Sequence, residues 1–138
     1  AGLICGRSVS MRFHHAAVVC SSPETSDRFY EGILGLKKVK SFTLNSALSE
    51  QIFETARECG IIFYADETLA VEVFLDISTP TERSPFLHLC LEVEDREAFL
   101  EMCHAKGVRV NRVQKGDSLL AFIEDYDGNL FEIKESPR

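Results

Sequence analysis

At 138 residues, 45% hydrophobic and 27% charged, the chain has the size of one ordinary domain and enough apolar side chains for a real core. Its formal net charge of -7 argues against a nucleic-acid partner, whose phosphates would be repelled. No apolar run approaches the roughly 20 residues of a membrane span, so no membrane partner is expected.

Residues 1–10 hold no signal-peptide core and none of the repeat described below, so they read as an extension before Met11. A strand is predicted over residues 12–20. Alternation there sets His15, Ala17 and Val19 on one face, with His14, Ala16, Val18 and Cys20 on the other. His14 therefore reads as structural or exposed. Ser22 is a good N-cap, Pro23 suits the first helical position and Glu24 complements the helix dipole. Phe29, Tyr30, Ile33 and Leu34 form an apolar stripe that Gly35 brings to a stop. Strands follow at 36–43, 60–66 and 70–77, the last carrying Glu72 at its centre. Lys37, Lys38 and Lys40 read as solvated charges along an edge strand. Between the first two of these strands, Leu48, Ile52 and Ala56 recur every fourth residue. That spacing predicts a short amphipathic helix within 45–58, either packed outside the sheet or at a dimer contact, or forming a lid or pocket wall over the metal. Glu50 in it reads as a solvated helical residue.

The pattern then starts again. A strand at 86–93 opens on His88, Asp95 caps a helix with Phe99, Leu100 and Cys103 inward, and Gly107 closes it. His104 falls on the outside of that helix. Strands at 108–114, 118–124 and 129–134 complete the unit, the last two joined by an Asp127-Gly128 turn. From His to the helix-ending Gly is 20 residues in the first unit and 19 in the second. His15 to Glu72 spans 57 residues and His88 to Glu132 spans 44, the surplus falling in the 45–58 insert. An internal repeat of this kind dictates the fold: α+β, with two tandem βαβββ modules at about 12–77 and 86–135. Five cysteines (Cys5, Cys20, Cys59, Cys90, Cys103) form no CxxC pair and are odd in number. Cys20 and Cys90 sit in apolar strands as small hydrophobes, and a reducing, cytoplasmic setting is expected.

His15, Glu72, His88 and Glu132 each interrupt an apolar strand at an equivalent place in the repeat. A glutamate there is costly to bury unless paired or bound to a cation. A divalent ion on a pseudo-twofold axis explains all four. Two imidazoles and two carboxylates suit Zn, Ni, Co, Mn or Fe and do not select among them.

The ensemble resembles the vicinal oxygen chelate superfamily, which includes glyoxalase I, bleomycin-resistance proteins and extradiol dioxygenases. The likeness rests on the His15 strand with Phe29-Tyr30 and Leu34-Gly35-Leu36, then His88-Leu89-Cys90-Leu91-Glu92-Val93-Glu94-Asp95, Ala105-Lys106-Gly107-Val108 and Asp127-Gly128-Asn129-Leu130-Phe131-Glu132-Ile133. The resemblance implies a half-open barrel around the metal, with His15, Glu72, His88 and Glu132 as its ligands. It also implies a lyase or isomerase acting on a small carbonyl substrate through a metal-stabilised enediolate, Glu132 and Glu72 being the residues offered for proton transfer. A binding protein of the bleomycin-resistance kind and an Fe(II) dioxygenase are the alternatives. The Glu-Leu-Thr-Tyr-Asn-like run of glyoxalase I is absent after Glu72, and no arginine pattern for glutathione is recognisable, so the substrate stays open. A homodimer is implied as well. The short link at 78–85 suggests that each quartet is built within one chain.

Overall fold

The computed structural model describes residues 11–76 and 84–137. The first module runs β1 (Ala16–Cys20), α1 (Pro23–Tyr30), β2 (Lys37–Leu44), α2 (Ser46–Phe53), β3 (Cys59–Ala65) and β4 (Ala70–Leu75). The second runs β5 (Leu89–Val93), α3 (Arg96–Ala105), β6 (Val110–Lys115), β7 (Ser118–Glu124) and β8 (Leu130–Glu135). Each module forms one four-stranded mixed sheet, ordered β1-β4-β3-β2 and β5-β8-β7-β6. The first strand of each lies parallel to the last, and the remaining pairs are antiparallel. These are the two βαβββ modules expected from the repeat, and the sheets stay open rather than closing into barrels. The expected extension at 1–10 and most of the link at 78–85 lie outside the described residues.

The caps expected at Ser22 and Asp95 form, and Asn45 adds a third that the sequence reading did not name. Ser22 accepts from the Thr25 amide at 3.2 Å, Asn45 from Leu48 at 2.9 Å and Asp95 from Ala98 at 3.0 Å. After α1 the chain turns through residues 31–34 and exits at Gly35, whose φ of +71° is a conformation that glycine adopts without strain.

β1 begins four residues later than the sequence suggests. Its register pairs Ala16 with Val71, and β4 begins at Ala70, opposite His15, so the chain before His15 has no β4 residue left to pair with. Alternation therefore fails at His14. Its ring sits edge-on to that of His15 at 5.0 Å instead of pointing to the opposite face.

α2 is the helix expected in the insert, with its apolar pair turned to solvent. Leu48 and Ile52 are exposed, Ser49 is the buried residue, and Ala56 lies beyond the helix end. Phe53 instead packs edge-on against Phe74 of β4 at 5.4 Å.

One core joins the modules. Val71, Val73, Ile62 and Tyr64 from the first sheet cluster with Ala121, Ile123, Phe131 and Ile133 from the second, together with Phe29 and Tyr30 of α1 and Leu100 and Cys103 of α3. Phe29 meets Phe131 at 5.5 Å, and Arg28 lies over the Tyr126 ring at 4.2 Å. Polar contacts extend the seam. Asp125, buried in the β7–β8 turn, accepts from the Tyr30 hydroxyl at 2.8 Å, and the Asn129 side-chain amide donates to the Val19 carbonyl at 2.9 Å. Because strand residues alternate, the sheet faces that carry Glu72 and Glu132 are turned away from this core.

Candidate metal-binding faces

On the outward face of the first sheet, the parallel register sets Ala17 beside Glu72, and the antiparallel one sets Phe63 on its other side. His15, just before β1, reaches the same face. Its Nε2 lies 3.7 Å from Glu72 Oε1. The second sheet repeats the arrangement, with Cys90 and Phe122 flanking Glu132 and His88 Nε2 3.9 Å from Glu132 Oε1. Each histidine also meets the flanking phenylalanine edge-on, His15 with Phe63 at 5.6 Å and His88 with Phe122 at 6.2 Å. The rings limit where the imidazoles can turn.

The second ring nitrogen of each histidine is engaged. His88 Nδ1 is 2.8 Å from the Phe86 carbonyl oxygen. A carbonyl only accepts, so that Nδ1 carries a proton, and in the neutral ring the Nε2 lone pair faces Glu132. His15 Nδ1 is 2.8 Å from His14 Nδ1. When His14 is the acceptor, His15 presents its Nε2 lone pair to Glu72 in the same way.

This donor set fits a divalent ion. Two ligands each about 2.1 Å from one ion stand about 3 Å apart when adjacent and about 4.2 Å apart when opposite. Both His–Glu separations fall inside that range. The glutamates are half-buried, and with the facing imidazole neutral and its lone pair turned to it, each carboxylate gains no hydrogen bond there, which a shared cation would remedy.

The two pairs do not meet within one chain. Among the described residues, no three histidine, cysteine, aspartate or glutamate side chains are grouped closely enough to hold an ion. The expectation that all four would converge inside one cavity of a single chain is thus not met, because the shared core turns their faces outward. The 78–85 link, from which that expectation came, lies largely outside the described residues.

Several site residues escaped the sequence reading. Phe63 and Phe122 are recoverable in retrospect, since each is the antiparallel partner of a candidate ligand. Cys90, read as a core hydrophobe, is exposed on the outward face beside Glu132. Burial, and secondarily the Glu132 charge, raise its thiol pKa. A cavity of about 220 Å³ on the second module is lined by Arg109, Asn111, Phe122, Ile123, Glu124 and Leu130. Phe122 joins it to the His88–Glu132 pair, and an Arg109–Glu124 ion pair at 3.6 Å gives it a polar end. Glu50 and His104 are both exposed, as expected.

Comparison with known proteins bears on the family and the fold. Residues 12–133 match the family model of the Glyoxalase/Bleomycin resistance protein/Dioxygenase superfamily. Two strains of Neisseria meningitidis, serogroups A and B, have a lactoylglutathione lyase 28% identical over 130 residues, covering 88% of this chain and 88% of theirs. A glyoxalase family protein from Bacillus cereus superposes with a TM-score of 0.72 at 16% identity, covering 94% of this chain and 97% of that one. The fosfomycin resistance protein FosX from Listeria monocytogenes gives 0.69 at 14% identity, covering 94% and 96%. The trypanothione-dependent glyoxalase I of Leishmania major gives 0.65 at 17%, covering 91% of this chain and 87% of that one. With its repeat, its paired sheets and a match that spans nearly the whole chain, this protein belongs to the Glyoxalase/Bleomycin resistance protein/Dioxygenase superfamily.

Proposed function

We propose that the protein is a divalent-metal-dependent lyase or isomerase of the glyoxalase I type, acting on a small carbonyl compound with two neighbouring oxygens. The observation that carries this reading is the duplicated His–Glu pair, each with its imidazole Nε2 directed at a half-buried carboxylate. The lactoylglutathione lyases of Neisseria meningitidis support the lyase chemistry by their similarity.

His15 and Glu72 of one chain would hold the ion together with the equivalents of His88 and Glu132 from a second copy. The free edges favour that assembly. Among the described residues β1 and β5 each end their sheet, and large apolar residues precede both histidines. Phe13 is 79% exposed and Phe86 82%, with Met11 and Leu87 exposed beside them. Unpaired strand edges bordered by apolar side chains are surfaces that associate.

When bound, the ion supplies Lewis acidity toward a carbonyl oxygen. The chain's own residues do the rest. Glu132 or Glu72, through Oε1, accepts a proton from the carbon next to that carbonyl and returns it to the neighbouring carbon. Phe63 and Phe122 exclude water from one side of each pair. Cys20, Cys59, Cys90 and Cys103 are all free thiols, which fits a reducing, cytoplasmic setting.

The test is metal analysis of protein purified without chelators, followed by NMR of substrate α-proton exchange in deuterated solvent. Stoichiometric metal and metal-dependent exchange on α-hydroxycarbonyls or hemithioacetals are expected. Absence of both, with tight binding of a cationic drug, would make the protein a binding module instead.

A further inference from the structure

β2 is the edge strand of the first sheet, and its register against β3 slips once. Lys38 is paired with Tyr64 and Lys40 with Phe63, so Val39 is an extra residue between them. In a regular strand Lys38 and Lys40 would share a face. The bulge separates them, as bulges commonly do when they re-aim a side chain. Lys38 reaches back over the core side, where its Nζ bonds Asp27 of α1 at 2.9 Å. Lys40 is delivered to the outward face, the face of Glu72.

There Lys40 Nζ stands 5.6 Å from the Phe63 ring centre and 5.5 Å from that of Phe42. Phe63 touches the His15 ring on another side. Ala17, Glu72, Phe63 and Lys40 thus form one row straight across the sheet. Adjacent strands are about 4.8 Å apart, which puts the Lys40 backbone roughly two strand widths from that of Glu72. Lys38, Arg57, Arg109 and Arg112 all have carboxylate partners, whereas Lys40 has none among the described residues. Aromatic rings hold its ammonium without neutralising it.

We propose that Lys40 is a specificity-determining residue that binds an anionic group of the substrate, a carboxylate or phosphate several ångströms from the oxygens presented to the His15–Glu72 pair. The substrate class narrows accordingly to small carbonyl compounds that carry a negative charge at their far end. This inference rests on the metal-chelating reading of the His–Glu pairs.

Two hydroxamates separate the claims. Acetohydroxamate presents two vicinal oxygens and nothing else; the monohydroxamate of succinic acid adds a carboxylate two methylene groups away. Calorimetry on Co(II)-loaded protein measures both, with metal affinity measured separately. Wild type should prefer the carboxylated probe. Lys40→Met should lose about tenfold on that probe and nothing on acetohydroxamate, since a charge-assisted hydrogen bond is the only contact removed. Lys40→Arg should retain the preference, and Lys38→Met, on the opposite face, should leave it intact. Equal affinities of wild type and Lys40→Met for the carboxylated probe, or an equal loss on both probes, overturn the role of Lys40 while leaving the metal reading standing. If wild type binds neither Co(II) nor acetohydroxamate, the metal reading fails and the inference with it.

Discussion

The Tyr30 hydroxyl donates to Asp125 Oδ2 at 2.8 Å, so a helix of the first module is tied to the β7–β8 turn of the second. Asp125 also accepts from the Asn129 side chain at 2.7 Å and from the amides of Asp127 and Asn129 at 2.9 and 2.8 Å. Its carboxylate is buried but fully surrounded by donors, the condition under which a buried charge is tolerated. Burial, followed by the Asp125 charge, drives the Tyr30 pKa far upward, so the phenol remains a donor at every pH the fold survives.

Asp125→Ala leaves those donors without an acceptor and should cost about 3 kcal/mol, read as a lower midpoint in urea unfolding followed by circular dichroism. Tyr30→Phe removes one donor and should cost about 1.5 kcal/mol. An Asp125→Ala protein as stable as wild type would mean that the seam between the modules does not depend on this network.

Glu132→Gln should fold and melt like wild type, because the side chain keeps its shape and is only half-buried. Turnover should fall by about 10²–10⁴-fold, the usual cost of losing a general base. Retained turnover would move the proton transfer to another residue, with Glu72 the first candidate.

Thiol reagents should distinguish the cysteines by place in the fold. Cys90 is exposed and should be alkylated within the native protein, whereas Cys20 and Cys103 are buried and should react only on unfolding. Burial pushes the Cys103 thiol up to about 11, which reinforces its inertness. Mass spectrometry after iodoacetamide treatment at about pH 8, near the ordinary thiol pKa, reads the order. Rapid native labelling of Cys103 would contradict the packing of α3 on its sheet.

Much of the fold was legible because periodicity and repeat are properties of the chain itself. Val71 and Val73, and Phe131 and Ile133, face the core as the alternation about Glu72 and Glu132 requires. Gly35 and Gly107 mark equivalent turns, both at positive φ. What was not legible depends on partners distant in sequence. Where β1 starts is decided by where its parallel partner β4 starts, so alternation alone misplaces His14. Leu48 and Ile52 keep helical spacing but find no sheet to cover, while Phe53 finds Phe74. The Val39 bulge has no local signature, and it alone separates the roles of Lys38 and Lys40. The four candidate ligands could be named from the repeat, but whether their faces meet is a matter of how modules pack.

Asp66, in the turn between β3 and β4, accepts from the amides of Thr68 and Leu69 at 2.8 and 2.7 Å. Those backbone donors hold its carboxyl below the usual carboxylate value of 3.8. A folded-state pKa below the unfolded one stabilises the fold above the unfolded pKa, and that contribution disappears as pH falls through the folded value. Asp66→Ala should therefore be less stable than wild type at neutral pH, with the gap narrowing once the pH drops below about 4. Thermal melts of both proteins from neutral pH down to about 2.5 check this, and a gap that widens toward acid would reverse the sign.

In the proposed assembly each site draws one His–Glu pair from each of two chains, and complementation tests this directly. One variant carries His15→Ala and Glu72→Gln, the other His88→Ala and Glu132→Gln, and each should be inactive alone. Co-refolded in equal amounts, half of the dimers are mixed, and each mixed dimer regains one intact site of two, about a quarter of wild-type sites. Metal-dependent proton exchange, or Co(II) binding where no substrate is in hand, should recover to that level. Sites built within single chains would give no recovery at any mixing ratio, and that result would contradict the shared-site assembly.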